Sequence, residues 1–83
     1  MSKSPYPQTC KRRSEKKAFL EGEAIRMAES GNFKNARAIR QRLIKLRFGA
    51  LVGEVVPDVA EAFNFAYRLD DMCGKHFRGD EHT

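Results

Sequence analysis

At 83 residues the chain is sized for one small domain, near the lower limit at which a single core is stable unaided. It has no apolar run near the roughly 20 residues of a membrane span, no basic start leading into an apolar signal region, and only two cysteines, Cys10 and Cys73, which excludes a disulfide framework and implies a reducing interior, cytoplasmic or, in a eukaryote, nuclear. The net charge of +5 conceals a division: residues 1–48 hold 13 Lys/Arg against 4 Glu and residues 49–83 hold 3 against 7 Asp/Glu, so the front half favours an acidic counterpart such as nucleic acid, an anionic membrane or an acidic protein surface, of which nucleic acid or an acidic protein, and no membrane, is the expected partner.

Residues 1–11 contain Pro5 and Pro7 and no helical period, and are expected to be a flexible basic arm. The cluster Lys11, Arg12, Arg13, Lys16, Lys17 leads into a first helix over about 14–30, with Phe19, Ala24, Ile25, Met27 and Ala28 as an imperfect apolar face weakened at Gly22. The same basic run would serve as a nuclear address in a eukaryote.

Gly31 and Asn32 follow, a glycine suited to ending one helix and an asparagine suited to capping the next. The second helix is expected over 33–48, with Ala36, Ile39, Leu43 and Leu46 on one apolar stripe. Phe33, Ile44 and Phe48 lie off that stripe as a second apolar patch among Arg37, Arg40 and Arg47, and are candidates for a partner interface. The segment ALVGEVVP after Gly49 fits a short strand, an extended connector or a continuation of helix two.

Pro57 and Asp58 suit the first turn of a third helix over 57–73, ended by Gly74. Val59, Ala62, Phe63, Phe65, Ala66, Tyr67, Leu69, Met72 and Cys73 exceed the stripe of roughly 100° that one neighbour buries. Such a helix either lies across both earlier ones or shares its excess face with a second copy as a homodimer. From Lys75 the period is lost and 75–83 reads as a frayed tail. The expected fold is all-α: a helical domain over 12–74, built as a three-helix bundle with an antiparallel helical hairpin between an arm and a tail.

The segment from Ala28 resembles the UVR-type helical hairpin of the excision-repair proteins UvrB and UvrC and of some protease adaptors. Ala28, Phe33, Ala36, Ile39, Arg40, Leu43 and Leu46 stand at the spacings of that pattern, whereas Lys34, Arg37 and Gln41 depart from it. The resemblance covers fewer than 20 residues and implies a hairpin that contacts other proteins, with the altered charges changing which ones.

Residues able to meet phosphates or an acidic partner are Lys11, Arg12 and Arg13 ahead of helix one and Lys34, Arg37, Arg40, Arg42, Lys45 and Arg47 on helix two. No metal site is expected, because Cys10, Cys73, His76 and His82 do not form compact ligand pairs. No cofactor or catalytic group is expected either: Cys73 and His76 lack an orienting third residue, Asp70 and Asp71 diverge on a helix, and Gly49 and Gly53 lack the Lys-Ser/Thr of a phosphate loop. The expected function is a small non-enzymatic regulatory or accessory protein that binds nucleic acid. The alternative is an interaction module, inhibitor or adaptor that docks on an acidic surface of another protein.

Overall fold

Leu20, Ala24 and Ala28 recur one helical turn apart and form the fully buried stripe of the first helix, α1 (Arg13–Glu29), in the computed structural model, which describes residues 5–78. Three more helices follow: α2 (Ala36–Lys45), α3 (Leu51–Val55) and α4 (Phe65–His76). No strand occurs among the described residues, so the all-α class expected from periodicity holds. One core joins all four helices through Leu20, Ile39, Leu43, Val52, Val56, Leu69 and Cys73. α1 touches each of the other three, and α4 packs on both α1 and α2.

The boundaries differ from the sequence expectation for identifiable reasons. The second helix starts at Ala36, not 33, because Asn35 is its cap: the Asn35 side chain accepts from Ala38 N at 2.9 Å. Asn32 instead lies in the connection, where its N–H donates to Ser30 Oγ at 3.1 Å. Gly31 takes φ +82° there, and Arg78 N donates to its carbonyl at 2.9 Å.

α2 ends earlier than expected in a Schellman arrangement. Phe48 N reaches back to Leu43 O at 3.3 Å and Arg47 N to Ile44 O at 3.0 Å, with Arg47 at φ +69° in the position glycine ordinarily takes. The helix is over before Leu46, which is 42% exposed and not part of the core stripe. Of the three readings open for 50–57, a helix is realised, but as the separate five-residue α3 beyond Gly49 (φ +87°).

The expected helix over 57–73 is the largest revision, since residues 57–64 are a loop and the helix runs from Phe65 to His76. Phe63 at φ +70° interrupts any helix passing through it, and the Asn64 side chain starts a new one by accepting from Tyr67 N at 2.8 Å. Lys75 and His76, assigned to a frayed tail, close α4. Residues 79–83 lie outside the described residues, as do residues 1–4 of the arm.

Residues 5–11 are not a free arm. The Tyr6 ring meets Phe48 edge-on at 5.1 Å and lies 6.2 Å from Phe19, while its hydroxyl donates to Phe48 O at 2.7 Å. An aromatic anchor between two prolines has no periodicity, so its docking is invisible to a helical reading. Desolvation at this site raises the Tyr6 pKa above its ordinary value.

Candidate interaction surface

Helix α2 buries Ala36, Ile39 and Leu43 and must therefore turn its opposite face outward. Positions 37, 41, 44 and 45 share that face, so Arg37, Gln41, Ile44 and Lys45 form one exposed stripe. Lys34 is exposed ahead of it and Arg47 beyond its end.

The candidate cations divide by what the acidic back half does to them. Glu54 of α3 takes both Arg13 and Lys17 of α1, the latter at 3.3 Å. Asp58 in the loop takes Arg40 at 3.6 Å, and the Arg40 side chain is only 23% exposed, with its Nε buried and lacking a hydrogen-bond partner among the described residues. Arg13 and Arg40 thus belong to contacts within the fold. Lys11, Arg12, Lys34, Arg37, Arg42, Lys45 and Arg47 are exposed and have no carboxylate partner among the described residues. Lys11 and Arg12 are held near the start of α1, because both backbone N–H groups donate to Glu15 Oε1 at 3.0 Å, which lowers the Glu15 pKa.

The expected apolar patch is not assembled. Phe48 is 6% exposed within the Tyr6–Phe19–Phe48 aromatic cluster and is core, not partner surface. Ile44 is 45% exposed on the α2 stripe, whereas Phe33 is half-buried on the other side of the helix.

Phe33 there belongs to an open groove of about 570 Å³ between the ends of α1 and α2. Met27 and Leu46 join Phe33 as its apolar lining, and Arg26, Arg42, Ser30 and Asn32 line it as well. Arg26 is 80% exposed and shared with Glu23 at 3.6 Å; Arg42 has no such neighbour among the described residues. Periodicity had no means of finding this site, because three of its residues lie in an irregular turn. Of the two lining cations, Arg42 belongs to the basic set of the second helix that the sequence singles out, and Arg26 does not.

A second apolar surface lies where α4 begins. Phe63 is 94% exposed, with Val59 at 62% and Tyr67 at 51%. Cys73, by contrast, is fully buried, and desolvation followed by the nearby Asp70 charge raises its thiol pKa. No group of three His, Cys, Asp or Glu side chains is placed to hold a metal among the described residues; His82 is outside them. No described helix is long and apolar enough to cross a membrane. The chain matches no protein-family model, no curated protein and no solved structure.

Proposed function

We propose that the chain is a non-enzymatic accessory protein that binds nucleic acid through its basic front half. The observation that carries this reading is the set of exposed cations without carboxylate partners among the described residues, Arg37, Arg42 and Lys45 of α2 above all. Glu54 pairs with Arg13 and Lys17, Asp58 with Arg40 and Glu23 with Arg26, so the other exposed cations described in the front half are left without a carboxylate partner among the described residues. A polyanion gains entropy on meeting such a surface by releasing its condensed counterions.

The test is binding of labelled duplex and single-stranded oligonucleotides across a salt series. Each phosphate contact adds about 0.7–0.9 to the slope of log K against log salt, so replacing Arg37, Arg42 and Lys45 together by Ala is expected to flatten it by about 2–3. Circular dichroism should remain unchanged, because these side chains are exposed. Absence of binding at ~50 mM salt sinks the reading, since affinity at low salt is where such contacts are strongest.

The second reading, a protein-interaction module, is favoured by Val59, Phe63 and Tyr67, exposed apolar side chains of the kind that mark protein contacts. The hairpin resemblance from Ala28 points the same way. A second copy is the simplest partner, and light scattering of the wild type and of Phe63→Ser tests it: a dimer that becomes monomeric in the variant supports the contact, and a wild-type monomer removes it.

A further inference from the structure

We propose that the groove between α1 and α2 seats one unstacked base of a single strand on Phe33, with Arg42 and Arg26 holding the flanking phosphates. The inference rests on the nucleic-acid reading above and names the form of nucleic acid that the site selects.

Met27, Phe33 and Leu46 give the groove an apolar lining that includes one aromatic ring, and Phe33 also packs against the core, which fixes the ring in place. A nucleobase has an apolar π-face that gains from stacking on such a ring whatever its identity. Two lining residues are cationic: Arg42 has no carboxylate partner among the described residues, and Arg26 keeps most of its surface in solvent while pairing with Glu23 at 3.6 Å. A lining that joins apolar side chains and an aromatic ring to two guanidinium groups suits a ligand that carries a flat apolar part beside negative charge, which is a nucleotide within a strand. Guanidinium planes can themselves stack on bases.

Two further observations favour a strand over a free small molecule. Lys34 follows Phe33 directly and is exposed, so a further cation stands one residue beyond the groove lining. Asn32 also lines the groove, and its side chain makes no hydrogen bond among the described residues and can meet a base edge, whereas the Ser30 hydroxyl is engaged, donating to Met27 O at 2.7 Å and accepting from Asn32 N at 3.1 Å. A duplex keeps its base faces stacked and has nothing to place on Phe33, so the groove distinguishes single strands from duplexes.

The experiment measures anisotropy of a labelled oligothymidylate and of its duplex with oligodeoxyadenylate, for the wild type, Phe33→Leu and Arg42→Gln. Loss of one stacked base is worth about fivefold to a hundredfold, so Phe33→Leu is expected to weaken single-strand binding within that range and leave duplex binding unchanged. Arg42→Gln, at an exposed position, should weaken the single strand more than the duplex. A strand bearing 5-iodouracil should crosslink, on irradiation of the wild type, to the peptide containing Phe33; this arm does not depend on any variant folding. Equal effects on both nucleic acids, or crosslinks only elsewhere, would overturn the groove while leaving the cationic surface intact. Absence of binding to either nucleic acid overturns both. Displacement of the strand by an acidic aromatic peptide whose own binding depends on Phe33, with strand binding indifferent to it, overturns the inference in favour of a protein ligand.

Discussion

Asp70 Oδ1 accepts a hydrogen bond from Ala36 N at 2.6 Å, so the start of α2 is closed by a carboxylate 34 residues later in the chain. The first turn of α2 contains no acidic residue of its own and carries Arg37 instead. Asp70 thereby supplies both the missing acceptor and the negative charge that the helix dipole favours, and it does so from α4. Asp70→Ala should lower stability by about 0.5–2 kcal/mol in urea melts, with Asp70→Asn retaining most of it because an acceptor is kept. Equal losses in both variants would show that the charge, and not the hydrogen bond, is what matters.

Gly31 should tolerate no side chain. Its φ of +82° disfavours any L-residue, and a Cβ there would come within 2.7 Å of the His76 backbone carbonyl. The left-handed cost alone is about 1–2 kcal/mol, so Gly31→Ala is expected to destabilise by more than that. A thermal melt matching that of the wild type would contradict the close approach.

Arg47 presents the reverse case. It occupies a left-handed capping position with no ion pair among the described residues, and Arg47→Gly should raise stability by up to about 1 kcal/mol. The same variant should bind oligonucleotides less tightly, with a salt slope lower by nearly one. A more stable protein with undiminished binding would remove Arg47 from the contact surface.

Acid should loosen the start of α1. The Arg12 and Lys11 N–H groups hold the Glu15 pKa below its ordinary 4.5. A depressed carboxylate stabilises the fold above its unfolded pKa, and that contribution disappears as pH falls through the folded value. The loss therefore lies below the ordinary carboxylate range, not near neutrality. Glu15→Gln should show a smaller drop in stability between pH 7 and ~3 than the wild type, measured by denaturant melts at each pH.

The two thiols should react in sequence. Cys10 is half-exposed, whereas Cys73 is buried with its pKa raised. A thiolate-specific reagent at mildly alkaline pH should label Cys10 first and Cys73 only as the chain unfolds, which mass spectrometry of the labelled peptides resolves. Prompt labelling of Cys73 in the folded protein would contradict its burial.

Helix content was legible because α1 and α2 obey a period that burial enforces: Ala24 and Ala28, and Ala36, Ile39 and Leu43, all face the core as their spacing required. What escaped the sequence was set by single residues acting at a distance or against local preference. Asn35 and Asn32 are equally good caps on paper, and only the path of the connection decides between them. Phe63 in a left-handed conformation divides an apolar run that otherwise reads as one helix from Pro57. Among the candidate cations, which ones remain outward depends on Glu54 and Asp58, and their partners lie on other elements. The groove was illegible for the same reason, being assembled from two helix ends and a turn.

Gly31 stands between two parts of the molecule that the chain separates widely. Its carbonyl takes the Arg78 N–H, while its neighbours Ser30 and Asn32 line the groove. Filling the groove and fastening the end of α4 therefore draw on the same short stretch of backbone. Hydrogen exchange at the Arg78 amide, with and without an oligonucleotide, therefore reads whether the proposed groove and the end of α4 communicate.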